Sequence, residues 1–291
     1  MRIKAFLKLI FFGGLLLVVV NGGPTNCLSQ ETKKLTADEV ITSHLESIGT
    51  AEARSAFKSL VAQGTVTVTI RVGGSGQGKG GAVMASQGPM TLMGLIFGPQ
   101  EYSNEKMAFN GQKLTLGELH PGVRTRFGGF LLTHDVVFQE GLLGGTLSTA
   151  WPFLDMNGRK AKVRYLGTKN IKDRKAYVLS YEPRRGGNLD IKLYFEAETF
   201  QHVRTEYQQE FAAPAVSLPE DAARQKGTRL KLTEEFSDFR REANLVLPHT
   251  YKIQLTFDTE SNPLLQDWVV SLNQFLFNKT LDPKQFDLTA Q

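Results

Sequence analysis

Five histidines, His44, His120, His134, His202 and His249, are the side chains best suited to proton transfer or metal binding near neutral pH. None is followed three or four residues later by another, so no helix presents two imidazoles to one ion. His44 falls on or near the apolar face of a helix and reads as a packed, hydrogen-bonded residue. His134-Asp135 could orient an imidazole, but the pair follows Thr133, and the expectation is a helix start capped by that threonine. His202, Arg204 and Glu206 alternate along one strand face, the pattern of a cross-strand charge ladder.

Gly73 and the Gly78-Lys79 pair stand at phosphate-loop spacing, yet Gly80 occupies the place of the Ser or Thr that would hold magnesium. A strand-like stretch, Ala82 to Ser86, follows instead of the helix whose N-terminal amides would cradle phosphate. Residues 73–81 are therefore expected to be a flexible hairpin connection. The sequence has no Gly-x-Ser-x-Gly elbow, no His-Glu-x-x-His and no Asp-rich calcium loop. No catalytic residue, cofactor or metal is expected, and a hydrolase ranks third among the readings. Asn278-Lys279-Thr280 is a glycosylation sequon.

The stronger signal is apolar surplus. Met90, Leu92, Met93, Leu95, Ile96 and Phe97 make a near-continuous apolar strand. A later glycine-rich stretch adds Phe127, Phe130, Leu142, Leu143, Leu147, Trp151 and Phe153. A curved sheet with an apolar concave face under an apolar helical segment can enclose a lipid-like ligand. The residues expected to line such a cavity are Leu92, Leu95, Phe97, Phe130, Leu142, Leu143, Trp151 and Phe153. The same pattern equally fits a segment, residues 127–156, that plugs the sheet as ordinary core, because both arrangements bury the same side chains.

The elements that would position these residues follow from periodicity. Thr36 and Glu39 form a capping box ahead of Val40, Ile41, Leu45 and Ile48 at helical spacing, with Gly49 at the end. A second helix is expected around residues 51–60, with Phe57 and Leu60 on it. Val66, Val68, Ile70 and Val72 then alternate with polar residues, which is strand spacing. Strands are expected near 82–88, 91–98 and 101–109, and Asn110-Gly111 marks a hairpin. After the helical insertion strands resume near 162–166, 176–181, 189–195, 200–211, 228–239, 248–257 and 268–277. The expected fold is mainly β: a curved antiparallel sheet or incomplete barrel with N-terminal helices and a helical lid or plug.

At the N-terminus, Arg2, Lys4 and Lys8 precede an apolar run of about a dozen residues, shorter than the roughly 20 a spanning helix needs. Residues 1–29 read as a signal peptide cut before Gln30, leaving 30–291 as one exported domain; the alternative is an uncleaved anchor. Cys27, the only cysteine, would leave with the signal, and lipid anchoring through it is the lesser alternative. The net charge of +5 comes from 34 basic and 29 acidic residues; without the three basic signal residues 31 remain against 29. Nothing in that balance points to nucleic acid.

The motifs LTADEVITSHLESIG, LVAQGTVTV, EKMAFNGQKLTL, LYFEAETFQHVRTEY, LPHTYKI and NKTLDPKQF, in that order, resemble the LolA/LolB-like outer-membrane lipoprotein-sorting superfamily. That superfamily includes the RseB/MucB-type periplasmic proteins. The resemblance implies an incomplete barrel with a helical lid, an apolar cavity for acyl chains, a periplasmic location and no catalysis. The 73–81 and 127–156 segments depart from it, so no individual binding residue is carried over. Two readings follow: an exported carrier or chaperone for lipid or lipoprotein acyl chains, or a non-catalytic sensor or interaction module with an envelope protein partner.

Overall fold

A computed structural model describes residues 35–98, 102–211, 228–259 and 263–290. The expected signal peptide, its cleavage site and Cys27 lie outside the described residues. Among the described residues, no helix is long and apolar enough to cross a membrane.

The chain opens with α1 (Ala37–Ile48), whose start is fixed by the expected capping box: Thr36 N–H donates to Glu39 Oε2 at 2.8 Å, and Glu39 N–H to Thr36 Oγ1 at 3.2 Å. Val40, Ile41, His44 and Ile48 form its buried face. The second helix, α2 (Ala51–Ala56), is shorter than the sequence suggests. Its apolar tail departs because Ser59 and Leu60 already pair across to Gln87 and Ser86 as the start of β1.

The strands are β1 (Ser59–Val72), β2 (Gly76–Gln87), β3 (Met90–Phe97), β4 (Glu105–Phe109) and β5 (Leu114–Leu116). After the insertion come β6 (Lys162–Ile171), β7 (Arg174–Glu182), β8 (Asp190–Glu196), β9 (His202–Phe211), β10 (Thr228–Glu242), β11 (Leu245–Asp258) and β12 (Leu264–Phe277). They form one antiparallel sheet in the order β5-β4-β3-β2-β1-β12-β11-β10-β9-β8-β7-β6, which does not close. The first and last strands meet at its centre, with Val66 opposite Val270 and Val68 opposite Trp268. The two free edges, β5 and β6, are consecutive in the chain, so the helical insertion runs from one edge to the other. That route lays it across the concave face.

Residues 73–81 are not a flexible loop. Only 73–75 turn, and Gly76–Gly81 are paired to β1, with Gly80 opposite Val66 and Gly78 opposite Val68. Close approach accounts for Gly80, where a Cβ would lie 2.0 Å from the Ile96 carbonyl oxygen of β3. The Asn110-Gly111 hairpin forms as expected, pairing Phe109 with Leu114; Asn110 Oδ1 accepts from the N–H groups of Gln112 and Lys113. In β12 the register slips opposite Gln63 and Gly64, which turns Phe275 and Phe277 toward the core after Leu272.

The insertion contains α3 (Arg126–Thr133), α4 (Val136–Gln139), two 3-10 turns at Gly145–Leu147 and Pro152–Asp155, and α5 (Met156–Arg159). Thr125, not Thr133, caps the first of these, accepting from Gly128 N–H at 2.9 Å. Thr133 ends that helix, and its hydroxyl donates back to Gly129 O. Phe127, Phe130, Leu131, Val137, Phe138, Leu142, Leu143, Leu147, Trp151 and Phe153 are all buried and join the same core as the sheet. The insertion is a plug.

Candidate functional site

Three buried carboxylates fasten the plug to the sheet. Glu234 on β10 is fully buried; its Oε1 accepts from Tyr251 Oη at 2.6 Å and Gly144 N–H at 2.7 Å, and its Oε2 accepts from Tyr207 Oη at 2.6 Å. Burial pushes Glu234 up to about 7 against the opposing pull of these donors. Glu105 on β4 accepts from Tyr102 Oη at 3.0 Å and from the hydroxyl of Thr125, the cap of α3, at 2.6 Å; burial pushes it too up to about 7. Glu140, in the insertion itself, accepts from Tyr181 Oη of β7 at 2.6 Å. Beginning, middle and glycine turn of the plug are thus tied to three strands, β4, β7 and β10, by polar bonds as well as apolar packing.

Two histidines belong to the same interior. His44 Nδ1 meets Phe200 O at 3.0 Å, and its Nε2 accepts from Trp151 Nε1 at 3.0 Å. Burial lowers its pKa to about 4, so the ring is neutral. His202 stacks on Trp151 with centroids 4.6 Å apart and meets Thr205 Oγ1 at 2.8 Å. A bulge at Val203, between the Phe195–His202 and Tyr194–Arg204 pairs, turns His202 inward while Arg204 and Glu206 face outward. The three therefore do not share a face as expected. Arg204 and Glu206 join a convex ladder in which Lys231 reaches Glu206 at 3.0 Å and Arg204 also pairs with Glu235. Among the described residues, no group of three or more His, Cys, Asp or Glu is placed to hold a metal.

The expected cavity residues divide. Leu95, Phe97, Leu142, Leu143, Trp151 and Phe153 are buried in the interior. Leu92 alternates with the buried Thr91 and Met93, so it is half-buried on the other face of β3. Beside Leu143, Met84 and Phe138 the interior leaves about 20 Å³, room for about one water molecule. Phe130 alone of the eight lines an open site of larger size. This is a groove of about 520 Å³ between α3 and the ends of β10 and β11, bounded by Arg126, Gly129, Phe130, Thr133, Leu230, Phe257 and Thr259. Arg126 lies over the Phe257 ring, 5.8 Å from its centroid. A Cβ on Gly129 would meet nothing within 4 Å, so this helical glycine keeps the groove floor open.

Sequence reasoning missed Arg126, Gly129, Leu230 and Phe257. The one available signal was Gly128-Gly129 inside a helical stretch, where each glycine costs about 1 kcal/mol relative to alanine.

No family model matches the sequence, and no curated protein matches it. Among solved structures, the chain is similar to a LolA superfamily protein from Nitrosomonas europaea, with 11% identity and a TM-score of 0.47 over 89% of this chain and 100% of that one. It is similar to a DUF1329 family protein from Desulfovibrio piger, with 8% identity and a TM-score of 0.42 over 87% and 98%. A domain from Vibrio parahaemolyticus assigned to outer membrane lipoprotein sorting gives 9% identity and a TM-score of 0.40 over 86% and 96%. At these identities and TM-scores this chain's ligand is left to be read from its own residues.

Proposed function

We propose that this chain is an exported, non-catalytic carrier that holds an acyl chain in the groove between α3 and the ends of β10 and β11. The observation that carries the reading is the groove itself. Its volume of about 520 Å³ falls within the roughly 300–1,000 Å³ of small-molecule sites. Phe130, Leu230 and Phe257 supply an apolar wall, and Gly129 leaves the space that an alkyl chain needs. In this reading residues 1–29 direct export to the periplasm and residues 30–291 are the carrier domain. The ligand site moves from the interior, where Leu95, Leu142 and Trp151 pack as core, to the open end beside Phe130.

The second reading, a sensor or interaction module for an envelope protein, has its own support in the filled concave face. Mild purification from the cell envelope, followed by solvent extraction and mass spectrometry, separates the two. The carrier reading expects a stoichiometric acyl lipid. An extract free of lipid, with one envelope protein crosslinked to the chain, would favour the module instead.

A further inference from the structure

On the far side of Thr133 from the groove lies a second opening of about 360 Å³, and its character is polar. Thr133 lines both. A second link comes from the sheet: Gln209, in the polar opening, is the direct cross-strand partner of Leu230, in the apolar groove. Both residues are buried, so their side chains share the concave face as neighbours. The two openings are therefore contiguous at α3's C-terminal end.

Two groups in the polar opening are unusual. His134 Nε2 and the Gln209 side-chain oxygen are buried without any hydrogen-bond partner, on residues 6% and 9% exposed. Native interiors seldom leave such atoms unmet, because losing water without a replacement partner is costly. Burial lowers the His134 pKa, against the opposing pull of Asp135, so the ring faces the opening uncharged. Around them stand one cation and one anion. Arg185, exposed, donates to Gln139 Oε1 at 3.0 Å, and Asp135, also exposed, accepts from Gln139 Nε2 at 2.7 Å. A guanidinium suits a phosphate or carboxylate oxygen. The amide of Gln209, the neutral imidazole and the Asp135 carboxylate suit an ammonium or hydroxyl.

We infer that the polar opening is a head-group subsite, so that the ligand is a single-chain amphiphile whose head carries both an anionic oxygen and an N–H or O–H donor, as a lysophospholipid does. The inference rests on the acyl-groove reading and adds the part of the molecule that the groove leaves in solvent. The alkyl chain runs from Thr133 past Gly129 toward Phe257. The head turns the other way, its anionic oxygen to Arg185 and its donor to Gln209 and Asp135.

Four probes test it by calorimetry or by displacement of a fluorescent fatty acid: lauroyl lysophosphatidylethanolamine, monolaurin, methyl laurate and chain-free glycerophosphoethanolamine. The lysophospholipid is expected to bind about tenfold or more tighter than methyl laurate, with monolaurin between, since unmet polar groups penalise the analogue that lacks them. Arg185→Ala should weaken the lysophospholipid about tenfold and leave monolaurin unchanged. Gln209→Leu should weaken both relative to methyl laurate while the fold stays intact, since it replaces an amide whose buried oxygen has no partner by a similar apolar volume. Equal binding of the three laurates, or variants that leave their order unchanged, would overturn the head-group subsite while the groove stood. Chain-free glycerophosphoethanolamine binding as tightly as the lysophospholipid would overturn the amphiphile. Binding of no probe would overturn the groove reading itself.

Discussion

Replacing Trp151 with alanine removes an indole that is 1% exposed, stacks on His202 and donates to His44. The expected cost is about 3–5 kcal/mol, read as a lower midpoint in chemical denaturation. The loss of a partner for His44 Nε2 adds to the cavity left behind. Lipid binding per folded molecule should be unchanged, because Trp151 is not in the groove. A stable Trp151→Ala protein that had lost lipid binding would instead return the ligand to the interior. Of the eight side chains expected to line a cavity, seven are buried and Leu92 is half-buried on the other face of β3. An unbroken apolar run hides which alternate residues face inward; only the pairing of Met93 with the buried Met84 and Met107 on either side fixes that Met93 and Leu95 do. The groove residues were illegible for another reason. Gly129, Leu230 and Phe257 lie far apart in sequence and only the sheet brings them together.

At the scale of elements, the plug is held by groups whose charge depends on pH. Glu234 titrates at about 7 in the folded chain rather than near its ordinary value of 4.5. The folded state therefore binds the extra proton between those values, and its contribution to stability falls as pH rises from about 4.5 to 7. His44, held neutral down to about 4, acts in the opposite sense between about 4 and 6.5. Subtraction isolates the carboxylate. Between pH 5 and 8 the wild type should lose stability relative to Glu234→Gln by about 1–3 kcal/mol, in unfolding curves run on both at each pH. A difference that stays constant with pH would mean that Glu234 is already ionised throughout. Legibility varied here with the local physics. The Thr36 cap, the Asn110-Gly111 turn and most strands follow from short-range chemistry. The glycine segment and the false cap at Thr133 did not, because pairing with β1 and the hydroxyl of Thr125 overrode local preference.

For the whole molecule, alternating strands announced a meander, but not that its first and last members would pair at the centre. That pairing leaves β5 and β6 as the free edges and sends the intervening chain across the concave face. It decides the question that composition left open, whether residues 127–156 cover a cavity or fill it, in favour of filling. A carrier built this way must hold its ligand at the rim, between the plug and the sheet. Gly129→Leu is the most direct test of that claim. The new side chain enters open space on a helix, so the variant should melt at or above the wild-type temperature. Titrated with a fluorescent fatty acid, the wild type should bind saturably and Gly129→Leu about tenfold or more weakly, its groove being filled. Equal binding by the two folded proteins would contradict the account.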